Sequence, residues 1–192
     1  MPRKITRELL DGFLEEVQDS LVVVGDLLEK LSDGDWDSGA VKEAHRLAHS
    51  IKGAALMVQF PSLEILGRLL EYVLDDGMSN EACSKDRVLD SASTLWQLLA
   101  AYMQGLSDND LDEETILGAA VIAYCEHFPE LDPEEAQALQ ESVPAAVNSA
   151  GLKLLLEPPA EPENKKEKGP KKFWELPEKT IGRMLGILFV LQ

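Results

Sequence analysis

Apolar residues recur along the first two thirds of the chain at alternating spacings of four and three. This is the pattern of helices that each bury one face. After Thr6, a candidate N-cap, the first run reads Leu10, Leu14, Val17, Leu21, Val24, Leu28 and Leu31, widened by Phe13 and Leu27. It stops at the turn cluster Ser32-Asp33-Gly34-Asp35, so a core-facing bundle helix is expected rather than an autonomous coiled coil. A second helix starts near Trp36 or Ser38 and turns Val41, Ala44, Leu47 or Ala48, Ile51, Ala55 and Val58 inward, ending around Gln59-Phe60-Pro61. A third is expected to be capped by Ser62, to bury Leu63, Leu66, Leu70, Val73 and Leu74, and to end at Asp75-Asp76-Gly77 with Gly77 at C′. Gly67 within it would let a neighbouring helix approach closely. A fourth runs from Asn80 or Ser84 to Gly105 through Val88, Ala92, Leu95, Leu99 and Tyr102.

Four helices with short links and no strand-like alternation predict an all-α fold, an antiparallel four-helix bundle. Additional C-terminal helices follow. Asp110 and Glu113 resemble a capping box for a fifth helix through Phe128, and Asp132-Pro133-Glu134-Glu135 is a start signal for a sixth, expected to be short because Pro144 interrupts it. The expected organisation is a bundle plus fifth helix over 1–128 and an accessory helical segment over 129–156. A Pro- and Lys/Glu-rich linker over 157–172 and an apolar stretch over 173–192 come after it. That last stretch reads either as a docking segment or as the truncated start of a next domain.

Composition narrows the function classes. With 18 Lys+Arg against 35 Asp+Glu, the net charge is −17. Such a chain has no basic surplus with which to displace counterions from phosphates, so nucleic acid is not expected as a partner. An anionic membrane surface is disfavoured for the same reason, and no apolar run reaches the length of a membrane span. The two cysteines, Cys83 and Cys125, lack zinc-like spacing and read as reduced thiols. The absence of a signal-peptide pattern makes the cytoplasm the expected compartment.

The chemistry concentrates on the second helix, where His45, His49 and Lys52 share a face at spacings of four and three. A neutral imidazole, with an ordinary pKa of about 6.5, is a competent nucleophile near neutral pH and can carry a phosphoryl group. Lys52, one turn beyond His49, would offset the charge of that group. Gly53 leaves the space above the imidazole empty. A mid-helix glycine costs about 1 kcal/mol relative to alanine, so it needs a packing or functional reason. A third-helix carboxylate, Glu71, is the candidate to hold the other ring nitrogen, fixing the tautomer. A zinc site at His45 and His49 is disfavoured, because no third ligand is evident and Lys52 would repel a cation; no metal is expected. His127 reads as a cap at the end of the fifth helix, and Trp36 and Trp96 as core or rim residues.

The stretch Ala48-His49-Ser50-Ile51-Lys52-Gly53-Ala54-Ala55 resembles the phosphorylation-site motif of histidine phosphotransfer (HPt) domains. It is most similar to the N-terminal P1 domain of CheA-type chemotaxis histidine kinases. The likeness extends through Leu69-Leu70-Glu71-Tyr72-Val73-Leu74-Asp75 and covers about Met1 to Phe128. It implies an HPt-type bundle with His49 as phosphoacceptor, exposed on the second helix, and Glu71 beside it. Two positions depart from the family pattern. Arg68 stands where a second histidine is usual, and Gln59 where a glycine is frequent. Arg68 would then contact the phosphoryl group or a partner's acidic face, and His45 would tune the site's charge.

The expected activity is histidine phosphotransfer in a two-component or chemotaxis-type phosphorelay. The expected partners are a histidine kinase catalytic domain and a response-regulator receiver domain. No P-loop or kinase ATP box occurs in the sequence, so the domain is expected to be a phosphocarrier rather than an enzyme, with ATP and Mg²⁺ supplied by partner domains. Two architectures are open, the N-terminal piece of a larger CheA-like kinase and a free-standing relay protein, and the linker with its abrupt apolar end favours the first slightly. The alternative of a different class is a non-phosphorylated helical interaction or scaffold module of a signalling complex.

Overall fold

The computed structural model describes residues 6–34, 36–80, 82–108 and 110–147. The expected linker over 157–172, the segment over 173–192 and the accessory segment beyond Val147 lie outside them. Among the described residues the chain forms six helices: α1 (Arg7–Asp33), α2 (Ser38–Met57), α3 (Pro61–Ser79), α4 (Lys85–Asp108), α5 (Glu113–His127) and α6 (Pro133–Ala146). The first four form the antiparallel bundle: α1 packs on α2 and α4, and α3 on the same two. Helix α5 lies against α3 and α4, and α6 mainly against α5. No described helix is long and apolar enough to cross a membrane.

The stripes dictate which faces turn inward. Helix α1 buries Leu10, Phe13, Val17, Leu21, Val24, Leu28 and Leu31; Phe13 takes the inward place expected for Leu14, which is only partly covered. Each such side chain, fully buried, contributes about 1.5–3 kcal/mol, so docking of the stripe rather than helix propensity holds α1 in place. At the centre of the core, fully buried Phe60 packs between Phe13, at a ring-centroid distance of 6.4 Å, and Tyr102, edge-on at 6.2 Å. Trp96 of α4 lies over Gly25 of α1 and donates its indole N–H to the Leu21 carbonyl at 2.9 Å. A Cβ at Gly25 would come within 2.6 Å of that ring.

Caps set the start of several helices. The Thr6 hydroxyl accepts from the Leu9 amide at 3.3 Å, as expected. Asp37 caps α2 by accepting from Gly39 and Ala40, and Lys30 of α1 reaches it at 2.8 Å. The Lys30 bond and those backbone bonds hold the Asp37 carboxyl below the usual carboxylate range. Helix α2 ends in a Schellman arrangement. The Phe60 amide donates to the Ala55 carbonyl at 2.9 Å and the Gln59 amide to Leu56 at 3.3 Å, with Gln59 left-handed at φ 56°. Glycine alone adopts that backbone without a Cβ penalty, so Gln59 carries a strained position.

Four local expectations are corrected. Ser62 does not cap α3, which begins at Pro61 after Phe60. Its hydroxyl is buried and donates to Glu113 of α5. Glu113 therefore does not serve a capping box with Asp110. Asp112 caps α5, accepting from the Thr115 amide at 3.1 Å, while Glu113 also takes the Tyr102 hydroxyl at 2.5 Å. Burial and this carboxylate push the Tyr102 phenol far up. Gly77 does not end α3. It lies inside the helix, under Val88 and Trp36, and the helix continues to Ser79. Pro144 does not stop α6 either, since the helix runs through it to Ala146.

Candidate functional site

Two helices build the site, and the small residues between them set its geometry. Helices α2 and α3 are held close because Gly67 of α3 lies against the α2 backbone. A Cβ there would stand 3.0 Å from the Lys52 nitrogen and 3.3 Å from Ile51 Cγ2. The close approach expected of Gly67 is thus realised directly beneath the histidine turn. Ala44, Ala48, Ile51 and Ala55 fill the inner face of α2, which leaves His49 outward, its side chain 62% exposed.

Glu71 of α3 reaches this imidazole from below. Its side chain is only 9% exposed, and its Oε1 lies 2.7 Å from His49 Nδ1. An ionised carboxylate only accepts hydrogen bonds, so Nδ1 carries the ring proton and Nε2 the lone pair. Among the described residues Nε2 takes no hydrogen bond. The second carboxylate oxygen, Oε2, stands 2.5 Å from Lys52 Nζ. The ammonium thus balances the charge of the buried carboxylate. Burial pushes the Glu71 carboxyl up, but the Lys52 and His49 contacts outweigh it and hold the group below the usual carboxylate range. It stays ionised, and the Glu71–Lys52 pair is locally neutral.

The structure therefore brings His49, Lys52 and Glu71 together. Gly53 borders them with open space: a Cβ built on it meets no atom within 4 Å. Nothing inside the described chain requires a glycine there. His45, one turn before His49, is turned toward Asp75 of α3 at 4.0 Å rather than toward the site. Arg68 does not join the cluster; it pairs along its own helix with Glu64 at 3.6 Å. The sequence reveals neither the pairing of His45 with Asp75 nor that of Arg68 with Glu64, nor the tie between Lys52 and Glu71. A 3.6-residue periodicity shows which residues share a face of one helix but not which residue of the next helix lies opposite.

Beyond Gly53, Leu56 and Met57 are exposed at 61% and 76%. Leu56 falls seven residues after His49 and hence on the same face. Large apolar residues off the core stripe were the sequence signal for this patch.

A helical bundle that presents one outward histidine on a helix, held from the next helix by a buried carboxylate, defines a class: the histidine-bearing helical bundle. Within that class the chain belongs to the Hpt domain family, whose model matches residues 8–109, more than half of the chain. The chain is also similar to the chemotaxis protein CheA of Listeria monocytogenes serovar 1/2a and of Listeria innocua serovar 6a. Each is 29% identical over 86 residues, which is 45% of this chain and 14% of the CheA protein. The chain thus spans a small part of the length of these curated relatives. No solved structure matches significantly. Membership of the Hpt family implies histidine phosphotransfer in a phosphorelay, with the chain acting as a phosphocarrier module.

Proposed function

We propose that His49 is the phosphoacceptor, receiving a phosphoryl group from a histidine kinase catalytic domain or a receiver aspartate and passing it to a response regulator. The observation that carries this reading is the Glu71–His49 contact at 2.7 Å on an imidazole whose other nitrogen is open to solvent. The Nε2 lone pair attacks phosphorus. The N–P bond forms as the P–O bond to the donor breaks, and that electron pair leaves with the donor carboxylate or nucleotide. Positive charge develops on the ring, and Glu71 offsets it through the Nδ1 proton. Lys52 neutralises Glu71, so the incoming group, which carries about −1.5 to −2 charge, meets no net negative site. Gly53 leaves room for the group and for the donor's own active site. Leu56 and Met57 supply an apolar rim against which a receiver domain docks. ATP and Mg²⁺ belong to the partners, and the cytoplasm, where ATP is available, is the compartment this reading implies.

Purified chain, wild type or His49→Gln, is mixed with a phosphorylated receiver domain or a CheA-type kinase domain supplied with ATP. Wild type is expected to gain acid-labile, base-stable phosphate and His49→Gln none. A wild-type chain that takes no phosphate would leave a scaffold module as the better reading. Labelling of His49→Gln would place the acceptor elsewhere.

A further inference from the structure

A second group of chemically capable side chains gathers away from the α2–α3 site. Asp76 of α3, Cys83 of the α3–α4 connection and His127 at the end of α5 each offer one donor atom, and these atoms lie within 4.8 Å of one another. His127 is not a simple helix cap: its side chain is fully buried, with Nε2 3.0 Å from Asp76 Oδ2 and Nδ1 3.0 Å from Ser91 Oγ. We propose that this cluster binds a zinc-type divalent cation through Asp76 Oδ2, Cys83 Sγ and His127 Nε2, with water in the fourth position.

The donor set is the first reason. One thiolate, one imidazole and one carboxylate suit a borderline-soft ion that takes tetrahedral coordination, and three protein ligands leave one position for solvent. Donor atoms around such an ion lie roughly 3.3–3.8 Å apart, given metal–ligand distances of about 2.0–2.3 Å. The Asp76–His127 pair, 3.0 Å apart, must open slightly and exchange its hydrogen bond for the ion, while Cys83 Sγ already lies within 4.8 Å of both. The surroundings are the second reason. Ser91 holds the ring nitrogen that would not ligate, the way ligating histidines are usually oriented. Asn80 occupies Asp76 Oδ1 at 2.9 Å, leaving Oδ2 to face the cluster.

Binding releases the Cys83 thiol proton and any proton on Nε2 of His127, as metal binding to thiols and imidazoles does. Arg87, with Nη2 3.4 Å from Sγ, must turn aside as the ion enters. A bound ion would join α3, the connection to α4, and α5, so it would tie the fifth helix to the bundle. Both cysteines are free of disulfides, so Cys83 is available as a ligand.

The test uses the full chain, with Zn²⁺ titrated against a chromophoric chelator and Co²⁺ as a spectroscopic probe. We expect one ion per chain, a thiolate-to-cobalt charge-transfer band and a raised melting temperature in the presence of Zn²⁺. Cys83 is only partly buried, so Cys83→Ser should fold, as circular dichroism can verify. It should lose the band and weaken Zn²⁺ binding by at least about tenfold, since even outer-shell changes cost 10–100-fold. Cys125→Ser and His49→Gln should match wild type. Absence of stoichiometric binding to wild type overturns the proposal. So does a band and affinity that survive Cys83→Ser, or that disappear in Cys125→Ser or His49→Gln.

Discussion

Glu71 Oε1 stands 2.7 Å from Nδ1 of His49, a buried carboxylate beneath an exposed imidazole. The contact assigns the two ring nitrogens different work. It also makes Glu71 a group whose ionisation is coupled to folding.

Because the folded-state pKa of Glu71 lies below its ordinary value, the contact stabilises the fold above that ordinary value, about 4.3 for an unperturbed glutamate. The contribution is lost as pH falls through the lowered folded value. Acid unfolding of wild type and Glu71→Gln, compared by circular dichroism, should show a wild-type advantage near neutral pH that shrinks below about pH 4.5. A difference that stays constant to strongly acid pH would contradict the coupling. In phosphotransfer, Glu71→Gln should be slower by about 10–100-fold, the range seen when an orienting partner of a histidine is removed.

Gly53 separates stability from function. With no atom within 4 Å of an added Cβ, Gly53→Ala should fold normally and be more stable by about 0.5–1 kcal/mol, read as a rise in denaturation midpoint. A bulky Gly53→Leu should keep this stability and yet slow transfer, because its side chain stands where the donor must approach His49. Destabilisation by Gly53→Ala would mean that the glycine is needed for packing.

Lys52 is expected to act on the charge of the site. Lys52→Met leaves a buried carboxylate opposed only by the imidazole. Transfer should fall on the order of tenfold, short of the 10²–10³ for an oxyanion-hole donor, because this site is open to solvent. Raising ionic strength should narrow the gap between the two proteins. An unchanged transfer rate would remove Lys52 from the site.

Gln59 carries a backbone conformation that costs a non-glycine residue roughly 1–2 kcal/mol. Gln59→Gly should recover part of that, raising the urea midpoint without changing the slope of the transition. Phosphotransfer should be unaffected. A lower midpoint would show that the Gln59 side chain contributes more than its backbone costs.

The bundle was legible in the apolar rhythm because each stripe had only one way to be buried. So was the local site, since His49, Lys52 and Gly53 lie within two turns of one helix. At Ser62 and at the end of α3 the cause is the same: a local signal claimed by a distant partner. Ser62 looks like a cap, but Glu113, 51 residues away, takes its hydroxyl. Asp75-Asp76-Gly77 looks like a stop, but Asp76 is bound to His127 and Gly77 lies under Trp36 and Val88. The cluster of Asp76, Cys83 and His127 had no short spacing to betray it, because three separate elements supply it.

The central claim concerns one nitrogen, and phosphorus NMR of the phosphorylated chain tests it most directly. With Nδ1 committed to Glu71, the phosphoryl group should reside on Nε2 of His49, giving the resonance of 3-phosphohistidine. Phosphate on Nδ1, or on any residue other than His49, would contradict the account.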